Sequence, residues 1–492
     1  MARHIAKYLV FVCGVLLSGC ALQQEAIIPK LEEPTAFRGG TVIVREGEDF
    51  STYAWWERLN DPQLNELINL ALANNHDLQI AVANVEQAEA QLRATRYAWI
   101  PTLDAQAGGV GSGGIDTSYA NKGSANFSNG LGRVSAAYGA FVPSYSLNIF
   151  ALINQTRVAE ASLEIQKAAR NAAQLSVVGQ VAGSYFNLIV ARRALVLQEE
   201  EIKLLVRLKN VNEARFNAGG SDAENLHETA GRLQTARSAQ ASVRDDIQRT
   251  ENALQLLTGK MPGTIVTSKI PADITIGDLI PSKLPSSVLH QRPDLLMAEN
   301  NLMASDAQVS VANAAFFPTI SLTGLLGGAS AMLSNLFSVQ GGFWGATGSV
   351  AAPVLNARKL AEVSAAEAKQ KAAYANYLQA VKYAFGDVDS QLTSLQIVKQ
   401  KQTDLIAAHD AAKRLAVIRF AKFKAGAADI RLALEAEIAA VESEGSVNEG
   451  SSRQLSQLVT VFQSLAAGYA VTAGERAVEQ SAGIQGNAVL SQ

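Results

Sequence analysis

Two stretches of the chain share one pattern at a constant offset of 217 residues. Asp77 and Asp294 each open a helical pattern that ends the same distance later, at Pro101 and Pro318. Strict alternation of polar and apolar residues begins at once after each proline, as TLDAQA and as TISLT. Proline disfavours helical geometry in the residue before it and donates no amide hydrogen bond. We therefore expect two copies of one unit, in each of which a helix changes into a strand at the proline.

The residues after each proline extend the repeat. A loop rich in Gly, Ser and Asn leads to a second alternating stretch, which predicts one β-hairpin per copy. A long helical region follows, and each copy then has a turn of the form basic-Phe-x-Ala-Gly, at Arg215–Gly219 and Lys422–Gly426. Glycine supplies the left-handed conformation that ends a helix. Another helix returns from each turn, to about Leu257 and to about Leu465.

The N-terminus reads as a targeting signal. Arg3 and Lys7 precede a short apolar stretch that ends in Leu17-Ser18-Gly19-Cys20. This tetrapeptide resembles the lipobox of bacterial lipoproteins, which predicts cleavage between Gly19 and Cys20 and diacylglycerol on the Cys20 thiol. Acyl chains hold a protein at a membrane surface. An ordinary secretory signal with an incidental cysteine, or a short membrane anchor, is the alternative.

Four predicted strands are too few to enclose a passage. Lipid requires every backbone polar group to be satisfied, which for strands means a closed barrel. Several chains must then contribute strands to one barrel, and three chains would supply twelve. The alternative is a soluble dimeric coiled-coil spacer, which would leave the two prolines, the two hairpins and the lipobox without a common cause.

Composition argues against several classes of function. The formal net charge is -3, which does not favour a nucleic-acid partner. Both cysteines fall within the first twenty residues, and the five histidines are scattered, so we expect no metal, no cofactor and no catalytic residue. The glycine pattern at Gly109, Gly111 and Gly114 is not followed by a helix and predicts an outer loop rather than a dinucleotide site. Asp387 and Asp389 do not share a helix face, so they form no catalytic pair.

Four motifs carry a family resemblance. They are the stretch Leu289–Glu299 with the form L-x-x-R-P-D-L-x-x-A-E, Trp55-Trp56 followed by Asp61–Leu64, Asn252–Gly259, and Leu465–Tyr469. In this order they resemble the TolC-like outer membrane efflux factors, in particular the lipoprotein branch that serves RND-type multidrug pumps. The resemblance extends from the lipobox to about residue 470.

The resemblance implies an α+β membrane protein in which four strands per chain join a trimeric, twelve-stranded outer membrane β-barrel on a long periplasmic α-helical barrel. It implies an exit duct rather than an enzyme, located in the outer membrane, lipid-anchored and extending into the periplasm. The partners would be two further copies, a periplasmic adaptor protein, an inner membrane RND-type pump and outer membrane lipid. The sequence leaves open two other functions, an exit duct for a secreted polypeptide and a lipid-anchored periplasmic coiled-coil structural protein.

The predicted organisation has six segments. They are the signal peptide 1–19, the lipidated segment 20–61, the first repeat 62–258 with strands at about 102–112 and 132–150, the connector 259–288 in the equatorial region, the second repeat 289–470 with strands at about 319–328 and 342–355, and the tail 471–492.

The resemblance also places candidate functional residues. The two turns, with Phe216 and Gly219 and with Phe423 and Gly426, would form the periplasmic tip where the adaptor docks and the tunnel constricts. Glu435 lies nine residues beyond the second tip glycine, where the family commonly has an Asp lining the constriction, and Glu228 is its counterpart in the first copy. Carboxylates around a symmetry axis favour cations. A solvated carboxylate on a helix face is the alternative for each.

Overall fold

The computed structural model describes most of the chain. The described residues are 42–44, 50–111, 135–220, 223–267, 269–274, 279–280, 283–285, 291–330 and 342–470. Several predictions lie outside them, namely lipidation at Cys20 after cleavage behind Gly19, most of the two hairpin loops, and the C-terminal tail 471–492.

Both copies of the repeat have the same order of elements, which is helix, two strands, a very long helix, a turn and a shorter helix. The elements of the first copy are α1 Pro62–Asn74, α2 His76–Tyr97, β2 Thr102–Gly111, β3 Ser135–Leu147, α3 Ile149–Asn217 and α4 Ala223–Leu257. Those of the second are α5 Pro293–Ala314, β5 Thr319–Ser330, β6 Gly342–Ala351, α6 Ala357–Lys424 and α7 Ile430–Ser464. Two three-residue strands, β1 Val42–Val44 and β4 Lys283–Pro285, pair in parallel. The predicted internal duplication is therefore confirmed.

Each splice from helix to strand occurs at the predicted proline. Helix α2 ends at Tyr97 and β2 begins at Thr102, directly after Pro101. Helix α5 ends at Ala314 and β5 begins at Thr319, directly after Pro318. In both copies the proline therefore lies between the last residue of the helix and the first residue of the strand.

The second strand of each hairpin is shorter than the alternating pattern indicated. Strand β3 ends at Leu147 rather than near 150, and β6 ends at Ala351 rather than near 355. Asparagine side chains start the next helix in both places, since Asn148 Oδ1 accepts from the amide of Ala151 at 3.1 Å and Asn356 Oδ1 accepts from that of Lys359 at 3.2 Å. In the first copy the cap brings the last residues of the pattern into α3, which begins at Ile149, whereas in the second copy residues 352–356 lie between β6 and α6.

The chain packs as two compact units. The first contains the four long strands within residues 87–163 and 300–375. Its sheet has the order β2-β3-β5-β6, with every neighbouring pair antiparallel. The outer strands β2 and β6 are therefore the two edges of the sheet.

The register of the sheet sorts the strand side chains onto two contrasting faces. Side chains alternate along a strand, and paired residues point to the same side. One face, here called the apolar face, contains the cross-strand row Ala105, Phe141, Leu326 and Trp344. Among the described strand side chains it holds only apolar residues and glycine, apart from Tyr145 and Ser330.

The opposite side of the sheet, here called the polar face, collects almost all the hydrophilic strand side chains. They are Thr102, Asp104, Gln106, Ser144, Ser146, Thr319, Ser321, Thr323, Thr347 and Ser349. One cross-strand row runs through all four strands as hydroxyls, and its members Thr102 and Ser144 are hydrogen-bonded through their Oγ atoms at 2.7 Å. The apolar face therefore suits an apolar environment, and the polar face suits water.

The second unit is mainly helical, includes the short strands β1 and β4, and contains the described residues within 29–86, 164–299 and 376–492. An aromatic core joins its N-terminal segment to the end of α7, where Trp55 stacks on Phe462 with ring centroids 4.7 Å apart. Arg292, from the R-P-D motif, donates from Nη1 to the carbonyl of Ser464 at 2.8 Å and to Asp387 at 3.1 Å. The sequence motifs of this unit thus mark packing contacts.

Within the part of the chain that the structure describes, no helix combines the length and the hydrophobicity needed to cross a membrane.

Candidate functional site at the paired helix turns

The two basic-Phe-x-Ala-Gly turns have the same backbone geometry. Gly219 has φ of 69° and Gly426 has φ of 72°, the left-handed region that glycine adopts without strain. In the first turn the amide of Gly220 donates to the carbonyl of Arg215 at 2.9 Å, and in the second the amide of Ala427 donates to that of Lys422 at 2.9 Å. Each glycine therefore ends a long helix, α3 or α6, and lets the chain reverse into the next one.

Asp429 joins the two turns. Its Oδ1 atom accepts from the amide of Arg431 at 2.9 Å and caps α7, while its Oδ2 atom accepts from the guanidinium of Arg215 at the end of α3. The backbone amide of Arg431 is the main reason that the pKa of the Asp429 carboxyl lies below its usual value, and the guanidinium of Arg215 lowers this pKa further. The first copy and the second copy are therefore linked at the turns by one ionised carboxylate.

Arg431, in the first turn of α7, continues this link. Its Nη1 atom donates to Asn225 Oδ1 at 3.2 Å, close to the start of α4. The same guanidinium lies 3.6 Å from Glu435 Oε1. The candidate constriction residue Glu435 is thus half-buried and paired within its own chain, whereas its counterpart Glu228 is exposed. A role for either residue in a constriction remains a prediction.

A series of ion pairs ties α7 to the first copy beyond the turns. Two pairs reach α3, between Arg207 and Glu437 at 4.0 Å and between Arg193 and Glu444, and one reaches α4, between Arg232 and Glu442 at 3.2 Å. All these side chains are partly exposed. Such pairs contribute about 0–1 kcal/mol each, so they specify which helices meet more than they stabilise them.

An apolar cluster near these ion pairs contributes more to the packing of the three helices than the ion pairs do. It is formed by side chains of α3, α4 and α7, namely Leu197, Leu204, Leu205, Leu208, Leu233, Ala236, Leu434, Ile438 and Val441. Fully burying one Leu or Ile side chain is worth roughly 1.5–3 kcal/mol, which exceeds any single ion pair above it. We call this set the tip cluster.

Burial also affects one acidic side chain of α3. Burial raises the pKa of the Glu201 carboxyl, and the nearby carboxylate of Glu442 raises it further. Hydrogen bonding from Gln198 acts in the opposite direction. The surroundings of Glu201 therefore favour the neutral form of its carboxyl more than water does.

The sequence located the turns but missed the residues that join them. Phe216 is 42% exposed and Phe423 is half-buried, so neither tip aromatic is a core residue. Asp429 lies directly before a helix, which is a position where Asp favours capping, and this signal could have identified it. In the sequence Arg215 is only the basic residue of a turn pattern, because nothing local shows that its partner is more than two hundred residues away.

The described residues contain no group of three or more His, Cys, Asp or Glu side chains placed to hold a metal ion.

Comparison with known proteins identifies the family. A family model described as outer membrane efflux protein matches residues 67–260 and 284–467. The cation efflux system protein CusC of Escherichia coli K12 is 31% identical over 405 residues, which cover 82% of this chain and 85% of CusC. The outer membrane protein OprJ of Pseudomonas aeruginosa is 28% identical over 470 residues, which cover 93% of this chain and 96% of OprJ.

Solved structures show the same fold. The crystal structure of the Campylobacter jejuni outer membrane channel CmeC superposes with a TM-score of 0.77 and 22% sequence identity, covering 94% of this chain and 98% of CmeC. The duplicated α+β fold predicted from the sequence is therefore that of known outer membrane channels. Since the family model matches more than half of its residues in two blocks, one in each repeat, the chain belongs to the outer membrane efflux protein family.

Proposed function

We propose that three copies of this chain form a passive duct in the outer membrane, through which drugs or other small molecules leave the cell. An inner membrane RND-type pump would deliver them through a periplasmic adaptor. The observation that carries the proposal is the division of the four-stranded sheet into an apolar face and a polar face.

The two faces fit the two sides of a membrane barrel. Strands of such barrels alternate between lipid-facing apolar residues and lumen-facing polar residues. The apolar face would contact lipid. Four of its larger side chains are at least half exposed in the single chain, namely Phe141, Leu322, Leu326 and Trp344. The hydroxyl row and Asp104 on the polar face would line a water-filled lumen.

The free edges of the sheet support assembly from several copies. Strands β2 and β6 each present one unpaired edge of about ten residues, and an exposed edge pairs with another strand. Because the four strands alternate in direction, β6 of one copy and β2 of the next would also pair antiparallel. Three copies would close a barrel of twelve strands with no edge left.

The tip supports docking by partner proteins. The paired turns end two helices of 69 and 68 residues, and their ion pairs and cap are partly exposed. The adaptor would bind at Phe216, Gly219, Phe423 and Gly426, and a ring formed by Glu435 or Glu228 would face the constriction. Lipid attached at Cys20 would anchor each copy to the outer membrane.

The substrate would be chosen by the pump rather than by the duct. CusC is named for cation efflux, whereas the name of OprJ specifies no substrate, although both align along most of this chain. The two relatives therefore align with the same chain although only one of their names specifies a transported substrate. A duct of this kind needs no catalytic residue.

The proposal is tested by the drug susceptibility of a deletion strain. We expect deletion to increase susceptibility to compounds expelled by the cognate pump at least as much as deletion of the pump does, and the wild-type chain to restore resistance. A chain with Leu326→Lys, which puts a charge on the apolar face, should fail to restore resistance, whereas the matched control Leu325→Lys should restore it. Unchanged susceptibility together with loss of one secreted polypeptide would contradict the proposal and favour a secretion duct.

A further inference from the structure

The middle of helix α7 differs in composition from its two ends. Residues 443–452 read SEGSVNEGSS and contain four serines, two glycines and one asparagine. These residue types favour helices less than Ala, Leu, Glu or Lys do. The stretch is nevertheless helical, which means that its conformation depends on neighbouring helices rather than on local preference.

The apolar packing of α7 is interrupted over the same stretch. The tip half of the helix contributes Leu434, Ile438 and Val441 to the tip cluster. The other half packs through Leu455 and beyond, as far as Phe462 on Trp55. Within α7, the buried residues between these two halves are Asn448 and Gly450. The helix therefore has two apolar anchors separated by a polar layer.

The polar layer is packed with incomplete hydrogen bonding. Gln402 of α6 donates from Nε2 to the carbonyl of Val447 at 3.2 Å and to Ser451 Oγ at 3.0 Å, and Asn448 donates from Nδ2 to the carbonyl of Val190 at 3.0 Å. The amide oxygens of Gln402 and Asn448 are buried and have no hydrogen-bond partner. Rotating either amide would set its oxygen against a backbone carbonyl, of Val447 for Gln402 and of Val190 for Asn448. Unsatisfied buried acceptors make the layer weaker than the apolar packing on both sides.

The two glycines of the layer have different surroundings. A Cβ atom at Gly450 would lie 2.0 Å from Gln402 Oε1 and 2.8 Å from Leu405 Cδ1, so a larger residue there would displace both of these α6 side chains. A Cβ atom at Gly445 would meet nothing within 4 Å. Within the described residues of one copy nothing packs against this position, so the effect of Gly445 inside the chain is to weaken the helix.

We propose that residues 443–452 form a hinge at which the tip half of α7 changes direction when the tip opens. The apolar anchors on both sides keep the two halves of the helix intact, and the partly exposed ion pairs across the tip can be exchanged at small cost. The inference rests on the proposed function only in assigning the motion to opening of the duct. The hinge itself is a property of the helix and can be measured without transport.

Hydrogen exchange of the purified full-length protein tests the hinge directly. We expect amides in residues 444–452 to exchange at least ~10-fold faster than those of the tip half and of residues 455–462, because local opening follows weak packing. Gly445→Ala should slow exchange in this stretch about fivefold, the factor that corresponds to the difference in helix propensity between Gly and Ala. The control is Gly231→Ala in α4, a helix of the same length, where a Cβ atom also meets nothing within 4 Å.

Channel recordings then connect the hinge to opening. In planar bilayers, on a background of Asp429→Ala to loosen the tip, Gly445→Ala should reduce opening events about fivefold, whereas Gly231→Ala should leave them unchanged. Slow exchange of residues 444–452, or equal effects of the two substitutions on opening, would overturn the hinge. If no variant conducts but the stretch still exchanges fast, the proposed function fails while the hinge stands.

Discussion

Replacing Leu326 with lysine should destabilise the assembled protein far more than the same replacement at the adjacent residue, Leu325. Both lie in β5, but the register places Leu326 in the apolar row with Phe141 and Trp344 and places Leu325 on the polar face. The single chain exposes 61% of Leu326 and 39% of Leu325, so exposure alone would predict the opposite order. The prediction therefore depends on which face meets lipid.

The magnitude follows from the cost of a charge at the lipid-facing surface of a barrel. A lysine there costs about 2–4 kcal/mol near the bilayer midplane and about 0–1 kcal/mol near the interfaces. We expect Leu326→Lys to lower the free energy of unfolding by ~2–4 kcal/mol and Leu325→Lys to lower it by less than ~1 kcal/mol, because the second ammonium would stay in water. Urea unfolding in lipid vesicles measures both. Equal losses, or a larger loss for Leu325→Lys, would refute the assignment of the two faces.

The remaining predictions concern the tip, the lumen and the N-terminus. Asp429→Ala should lower the free energy of unfolding by about 1 kcal/mol at pH 7, since it removes a helix cap and an ion pair. Folding lowers the pKa of this carboxyl from 3.8, so acid titrations of both proteins should show the difference from wild type above pH 3.8 and its loss as the pH falls through the folded pKa. Gly426→Ala should cost roughly 1 kcal/mol in the same unfolding assay because φ is positive there, and an equal loss at Gly231→Ala would contradict this reason. Asp104→Asn should reduce cation selectivity, measured as reversal potential, at ~0.01 M salt but not at ~1 M, where the Debye length falls to about 3 Å. An equal loss of selectivity at ~1 M salt would contradict the proposal that Asp104 acts as a charge in a water-filled lumen. Cys20→Ala should remove the lipid-dependent mass increase of the mature chain, and an unchanged mass would exclude lipidation at this residue.

Local signals in the sequence predicted those parts of the fold that depend on single residues. Pro101 and Pro318 determine where helices end, and Gly219 and Gly426 determine where the chain reverses, because each acts through its own backbone. The strand ends were less predictable. Asn148 caps a helix and also donates from Nδ2 to the carbonyl of Ala314 at 3.0 Å, a long-range contact that alternation alone does not reveal.

Interactions between the two copies could not be predicted from local patterns. Alternation showed that each strand has two faces, but only the pairing of β3 with β5 aligns the faces of one hairpin with those of the other. The link between Arg215 and Asp429 likewise joins residues far apart in the chain. The resemblance to the family indicated that the two turns are functionally important, and the structure shows which side chains contact one another there.

Planar-bilayer recording combined with native mass spectrometry tests the central claim most directly. If the chain forms a duct, the purified full-length protein will have the mass of three copies and will produce discrete conductance steps, which Asp429→Ala will make more frequent. A single-copy mass, or trimers that conduct nothing in both the wild type and the Asp429→Ala variant, would contradict the account.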